Sequence, residues 1–171
     1  MAQQEQFEAR VLVADDDQSI RQLLGTIIRR ERLEVDLAAD GLEAVEKLKA
    51  REYAVILLDL MMPRLNGFGV IEYLKQHPPL HKPVILVISA YADQKYRDVD
   101  AGVVAGVIRK PFEVADLGNL VRLCAHGFNS ALQGLAATQD MDETVRVLRP
   151  NTFAQLQAMR SDEAANGHDN N

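Results

Sequence analysis

Ala54–Gly67 reads AVILLDLMMPRLNG. Five apolar residues, Ala54 to Leu58, run without interruption into a carboxylate, Asp59. A short apolar run containing Val and Ile and bounded by turn signals predicts a strand covered on both faces. An ionised carboxylate is costly to bury and is ordinarily paired or metal-bound. In an open α/β sheet, however, ligands bind in the crevice above the carboxyl ends of the strands. The stretch therefore predicts a buried strand, β3 (Ala54–Leu58), that delivers Asp59 to a working edge. Pro63 and Asn66-Gly67 then break regular structure and form a loop beside it.

The same grammar repeats on either side. Val11–Ala14 predicts β1, followed at once by Asp15-Asp16-Asp17. Leu33–Ala38 predicts β2, with Val35 and Leu37 on one face. Val84–Ile88 predicts β4, with Ser89 at its end, and Val104–Ile108 predicts β5, followed by Arg109-Lys110-Pro111. Between them the apolar period changes to that of a helix. Helix α1 rests on Ile20, Leu23, Leu24, Ile27 and Ile28, with Asp17 or Ser19 available as its cap. Helix α2 follows a turn at Gly41 and uses Leu42, Val45 and Leu48, with Glu43 and Lys47 paired on its outside. Helix α3 spans about Phe68–Gln76 through Val70, Ile71 and Leu74. A weaker helix α4 covers Ala92–Ala101. Helix α5 runs from about Val114 to His126, with Leu117, Leu120, Val121 and Cys124 inward and Gly127 just past its end.

Five rounds of strand then helix predict an α/β fold, a doubly wound five-stranded parallel sheet with helices on both faces. Residues 1–8 read as a flexible N-terminus and 9–128 as the domain. Residues 129–171 read as a C-terminal extension or linker, helix-spaced at first and disordered toward EAANGHDNN.

The totals narrow the function. The chain of 171 residues is 47% hydrophobic and 26% charged, an ordinary balance for a globular protein. A net charge of −6 argues against a nucleic-acid surface, where a basic patch supplies the affinity. One cysteine excludes an internal disulfide and fits a reducing compartment. The opening MAQQEQFEAR has no apolar signal core, and no run is long enough to span a membrane. The expected location is the cytoplasm.

In a parallel sheet the strand ends share one edge. That edge collects Asp15, Asp16 and Asp17 from β1, Asp59 from β3, Ser89 from β4 and Lys110 from β5. Clustered carboxylates repel unless a cation joins them. Oxygen-only ligands without His or Cys favour Mg²⁺ (or Mn²⁺) over zinc. A hard cation that keeps some waters is suited to a phosphoryl group. Asp59 can attack phosphorus as a carboxylate nucleophile, Ser89 can donate to a phosphoryl oxygen, and Lys110 can neutralise another. Metal and lysine together stabilise the charge spread over the transition state.

The pieces VLVADDDQSIRQLL, VILLDLMMPRLNGFGVIEYLK, VILVISA and IRKPF, in that order across about residues 10–127, resemble the receiver domain of bacterial two-component response regulators. The resemblance implies strand order 2-1-3-4-5 and phosphorylation of Asp59 by the phosphohistidine of a sensor histidine kinase or phosphotransfer protein. It implies Asp15, Asp16, Asp59 and the backbone carbonyl of Met61 as metal ligands. It implies that Ser89 moves toward the phosphate, that Lys110 pairs with it, and that Lys110–Pro111 is cis. Two departures stand out. The family's aromatic switch position, three residues before the lysine, is Val107. The segment Gly102–Lys110 is one residue long for the family, which predicts a bulge in the loop before β5. Met61 and Tyr91 stand where family members tune phosphate lifetime.

Two other readings compete. In a haloacid-dehalogenase-like phosphatase Asp15 is the nucleophile, which leaves Asp59 and MMPRLNG without a role. A degenerate receiver acts only as a protein-binding module, which leaves the complete set of acids, hydroxyl and lysine without one. His77 and His81 have helical spacing, but Pro78 and Pro79 lie between them, so they read as surface histidines. His126 is explained by the dipole of a helix end, and Cys124 reads as a small core residue. The expected output surface is the α4–β5–α5 face, used by a downstream protein, by an output domain outside this segment, or by a second copy in a homodimer. The tail beyond Asn129 holds more acids than arginines, so neither nucleic acid nor membrane is expected to bind there.

Overall fold

The computed structural model describes residues 9–90, 100 and 102–135, with side chains up to 127. The expected flexible residues 1–8, helix α4, Tyr91 and the extension from 136 to 171 lie outside the described residues.

The strands are β1 (Arg10–Ala14), β2 (Glu34–Ala38), β3 (Val55–Asp59), β4 (Val84–Ser89) and β5 (Val104–Arg109). They form one parallel sheet in the order β2-β1-β3-β4-β5. The helices are α1 (Gln18–Arg30), α2 (Gly41–Ala50), α3 (Gly67–Gln76) and α5 (Val114–Leu135). None of them is long and apolar enough to cross a membrane.

Alternation along each strand sorts the core into two halves. Val11, Val13, Val55, Leu57, Leu86 and Ile88 face α1 and α5, where they meet Leu24, Ile27, Ile28, Leu117 and Val121. Leu12, Ile56, Leu58, Ile85 and Val87 face α2 and α3, where they meet Ala44, Val45, Val70, Ile71 and Leu74. Because the central strands are covered on both sides, their sequences are continuous apolar runs. Truncating such a residue to alanine costs about 2–5 kcal/mol.

Several helix details differ from the sequence reading. Leu23 is 41% exposed and Leu42 is 47% exposed, so α1 and α2 bury narrower stripes than expected, with Ala44 replacing Leu42 in the core. Asp17, rather than Ser19, caps α1 by accepting from the Ser19 and Ile20 amides. The Glu43–Lys47 pair forms at 3.4 Å. Helix α5 does not stop before Gly127 but continues to Leu135, so His126 is an exposed mid-helix residue and not a terminal one.

The expected irregularity before β5 lies inside the strand. Ile85 pairs with Val104 but Leu86 pairs with Gly106, which leaves Ala105 as the extra residue. The bulge shifts the phase of the strand. Val104 and Val107, three residues apart, both join the α2/α3 half of the core, while Ile108 joins the other.

Candidate functional site

Four strand ends build the site. β1 ends as the Asp15 amide makes a last bond to the Ala38 carbonyl at 3.2 Å. Beyond it the chain turns abruptly into α1, and the side chains of that turn organise themselves. The Asp17 amide donates to Asp15 Oδ1 at 2.9 Å, and Asp17 in turn caps the helix. At the end of β3 the Met61 amide donates to Asp59 Oδ1 at 2.9 Å, which orients that carboxylate within its own turn.

The loop after Asp59 is held tight by Gly67, whose amide donates to the Leu60 carbonyl at 3.1 Å. Asn66 is the cap of α3, accepting from the Gly69 amide at 3.0 Å. A second contact spans from this loop to α2. Arg64, in the left-handed region at φ 64°, forms an ion pair with Asp40, the buried cap of α2. The Gly41 amide donates to the Leu65 carbonyl at 3.0 Å beside it.

Asp15, Asp16 and Asp59 converge, each offering an oxygen within 4.8 Å of the others. Asp15 and Asp59 are buried and Asp16 is exposed. Lys110 Nζ lies 2.8 Å from Asp15 Oδ2 and 3.0 Å from Asp59 Oδ2. Burial pushes the Asp15 carboxyl above the usual carboxylate range, and the neighbouring Asp59 charge adds to this, although Lys110 and the Asp17 amide pull the other way. Burial alone would lower the Lys110 ammonium, but its hydrogen bonds to Asp15 and Asp59 outweigh that and leave it above the usual lysine range. One ammonium thus serves two carboxylates, and a third stands close by. The donor set is oxygen-only and rich in charge, which fits a hard divalent cation held by Asp15, Asp16 and Asp59.

Ser89 is buried at the end of β4, and Asp59 pairs with its neighbour Ile88. The Lys110 amide donates to the Ser89 carbonyl at 3.0 Å, so the last turns of β4 and β5 are tied together at the site. Lys110–Pro111 is cis. Met61 keeps its side chain 47% exposed at the rim. Asp17 is engaged as a helix cap and stands outside the acid cluster.

The histidines lie elsewhere. His77 stacks on Tyr73 with ring centroids 4.6 Å apart, and His81 pairs with Glu52 at 2.6 Å. Sequence reasoning missed Arg21, whose guanidinium donates to the Asp15 carbonyl at 2.7 Å and the Asp16 carbonyl at 3.2 Å. A signal was present: a cation in the early part of a helix stands against the helix dipole and calls for another partner.

The family model described as "Response regulator receiver domain" matches residues 11–122. Among curated proteins, the transcriptional regulatory protein PdtaR of Mycobacterium tuberculosis is 34% identical over 134 residues, covering 75% of this chain and 63% of its own length. The response regulator ArlR of Staphylococcus saprophyticus is 29% identical over 110 residues, 63% of this chain and 48% of that protein. The gliding motility regulatory protein of Myxococcus xanthus is 32% identical over 114 residues, 66% of this chain and 15% of that protein. The chain thus spans less than two thirds of each of these relatives. Among solved structures, the Francisella response regulator 1452 receiver domain superposes with a TM-score of 0.62 at 27% identity, covering 69% of this chain and 97% of that one. TrrA from Thermotoga maritima, solved in complex with Mg²⁺-BeF, gives a TM-score of 0.60 at 28% identity, with 68% and 98% covered. These likenesses do not favour the phosphatase reading or the degenerate module.

Proposed function

We propose that this chain, which belongs to the response regulator receiver family, is a phosphorylation-controlled switch that accepts its phosphoryl group on Asp59. The observation that carries this reading is the convergence of three acids from two strand ends under one lysine from a third. Nothing in sheet stability requires it, since burying carboxylates is costly.

The donor is the phosphohistidine of a sensor histidine kinase or phosphotransfer protein. An Asp59 carboxylate oxygen attacks phosphorus, the P–N bond to the imidazole breaks, and an acyl phosphate forms. The Met61 amide, bonded to Asp59 Oδ1, keeps the carboxylate from rotating away during the approach. Lys110 places a point charge against the incoming phosphoryl oxygens. Ser89, at the adjoining strand end, donates its hydroxyl to another. Asp15, Asp16, Asp59 and the Met61 carbonyl would hold Mg²⁺ (or Mn²⁺), which supplies neutralisation of the phosphoryl charge.

The added charge at Asp59 draws Ser89 and Lys110 inward and shifts the balance between two arrangements of the face beyond β4 and β5. The output passes through the α4–β5–α5 face to a downstream protein, to an output domain outside this segment, or to a second copy. The domain, expected to end at 128, runs from residue 9 through the whole of α5 to Leu135, and works in the cytoplasm, without a nucleic-acid or membrane surface of its own. With Val107 in place of an aromatic ring, the signal is read through smaller side chains.

Incubation with acetyl phosphate and Mg²⁺, followed by intact-mass measurement, tests the assignment. The wild-type chain is expected to gain one phosphoryl group and Asp59→Asn none. Phosphate that stays on Asp59→Asn and disappears from Asp15→Asn would make the phosphatase-like nucleophile correct and this reading wrong.

A further inference from the structure

We infer that Arg21 is a positioning residue for the divalent cation, acting through the main chain of the acidic turn; the inference rests on the metal reading given above. Asp15 has every side-chain oxygen spoken for: Oδ1 accepts from the Asp17 amide and Oδ2 from Lys110. The Asp16 carboxylate is different. It is exposed, and among the described residues it has no hydrogen-bond or ion-pair partner. Its place in the cluster is therefore set by its backbone alone.

That backbone is bracketed by the Asp17 amide on Asp15 Oδ1 and held from the helix side by Arg21. One terminal nitrogen of the guanidinium donates to the carbonyls of both Asp15 and Asp16, at 2.7 and 3.2 Å. These carbonyls follow the last sheet bond of β1 and precede the first residue of α1, Gln18. They belong to the part of the chain that neither ladder nor helix organises. The Arg21 amide also bonds the Asp17 carbonyl at 2.9 Å, so the same residue closes the first helical turn.

Helix stability does not explain the choice. Arg21 is the fourth residue of α1; the first turn itself holds no acid, and the cap Asp17 has its Oδ1 engaged by the Ser19 and Ile20 amides. A cation there opposes the helix dipole. Rules of local stability are broken most often where a site needs the residue. Here the requirement is a donor long enough to reach back across the turn and serve two carbonyls at once.

The two physical accounts of Arg21 predict opposite signs. If it acted only as a charge, its removal would relieve repulsion and tighten cation binding. If it holds the turn, removal frees Asp16 and loosens binding. Loss of a residue that orients metal ligands typically costs about 10-fold or more in affinity. The probe is Mn²⁺, counted as free ion by electron paramagnetic resonance in titrations of the unphosphorylated full chain.

Arg21→Ala is expected to weaken Mn²⁺ binding by about 10-fold, and Arg21→Lys, which keeps the charge on a shorter donor, by a smaller but measurable factor. Arg30→Ala, which removes an exposed charge from the far end of the same helix, is expected to bind as wild type. Unchanged or tighter binding by Arg21→Ala overturns the inference. Should that variant not fold, wild-type affinity in Arg21→Lys overturns it instead. A wild-type chain that binds no Mn²⁺ overturns the metal reading itself, an outcome distinct from wild-type and variants binding alike.

Discussion

Gly67 is packed directly against the main chain of Asp59: a methyl group on its α-carbon would lie 2.4 Å from the Asp59 carbonyl oxygen and 2.8 Å from the Leu60 α-carbon. The atoms in the way are backbone, which cannot swing aside as a side chain tip can. The glycine is there for the close approach of α3 to the Asp59 turn, and its φ is not in the left-handed region. Gly67→Ala is therefore expected to cost about 1–3 kcal/mol, in the range of overpacked sites. It is also expected to slow phosphate uptake, because relieving the clash pushes the Asp59 turn and the start of α3 apart. Urea midpoints and uptake rates measured on one preparation check both, and a variant as stable and as fast as wild type contradicts the claim.

Lys110 is the resident cation of the acid pocket, and its removal should show how much the pocket needs one. In Lys110→Met, Asp15 and Asp59 lose the ammonium that both now share at about 3 Å. Without a divalent ion the variant is expected to melt below wild type. A ligand that binds only the folded state stabilises it by mass action, in proportion to the logarithm of its concentration over Kd. Because Mg²⁺ then meets two carboxylates with no competing ammonium, it is expected to raise the melting temperature of the variant more than that of wild type. Melting curves with Mg²⁺ and with chelator decide the matter; equal shifts in the two proteins would speak against a shared pocket.

Much of this was legible before any coordinate. The strands could be read because Ala54–Leu58 and Val84–Ile88 are apolar without a break, which only double-sided burial requires. Asp59, Ser89 and Lys110 could be placed on one edge because parallel strands put their ends together. Helix ends were harder. Gly127 reads as a stop, yet α5 passes through it; the cost of a helical glycine is about 1 kcal/mol, and Val121, Cys124 and Ala125 are buried just before it. The one-residue excess before Lys110 was visible as a length, but its location at Ala105 depends on which side chains reach the core, and that is a tertiary property. Arg21 and Arg64 were invisible to periodicity because both serve main-chain or cap groups across a turn. Asn66-Gly67 reads as a turn. It proved to be a helix cap followed by a close approach.

Tyr53 offers a test of stability separate from the site. Its side chain is 2% exposed, yet its hydroxyl donates to Asp36 Oδ2 at 2.8 Å, joining the α2–β3 connection to β2. Burial pushes the phenol pKa well above its usual value, and the bond to Asp36 adds to that, so the hydroxyl stays a donor across the working pH range. Arg10 and Arg51 lie near the same carboxylate, at 3.4 and 3.6 Å. Tyr53→Phe keeps the ring and removes one bond to a charged group, for an expected loss of about 1.5–3 kcal/mol. Phosphate uptake by the folded variant is expected to match wild type, since Tyr53 precedes β3 at the end opposite Asp59. A loss below about 0.5 kcal/mol, the size of an ordinary surface change, would show that Asp36 is satisfied by the arginines alone.

Cys124 provides an internal reporter of folding. It is the only cysteine in the chain, it is 3% exposed, and it lies between α5 and the sheet with Ile27, Ile28 and Val121 in the same cluster. Burial pushes its thiol pKa up to about 11. The reactive species toward alkylating reagents is the thiolate. At pH 8 the native chain therefore suffers twice, from a small thiolate fraction and from lack of access. Unfolding restores both. Labelling with iodoacetamide is expected to be slow in native buffer and to accelerate as urea passes the midpoint, tracking the loss of structure seen by circular dichroism. At pH 9 native labelling should still lag far behind labelling of the unfolded chain, because access remains closed. Rapid native alkylation at pH 8 would mean that α5 leaves the sheet readily, and the packing of Leu117, Val121 and Cys124 against β3 and β4 would have to be weaker than their burial indicates.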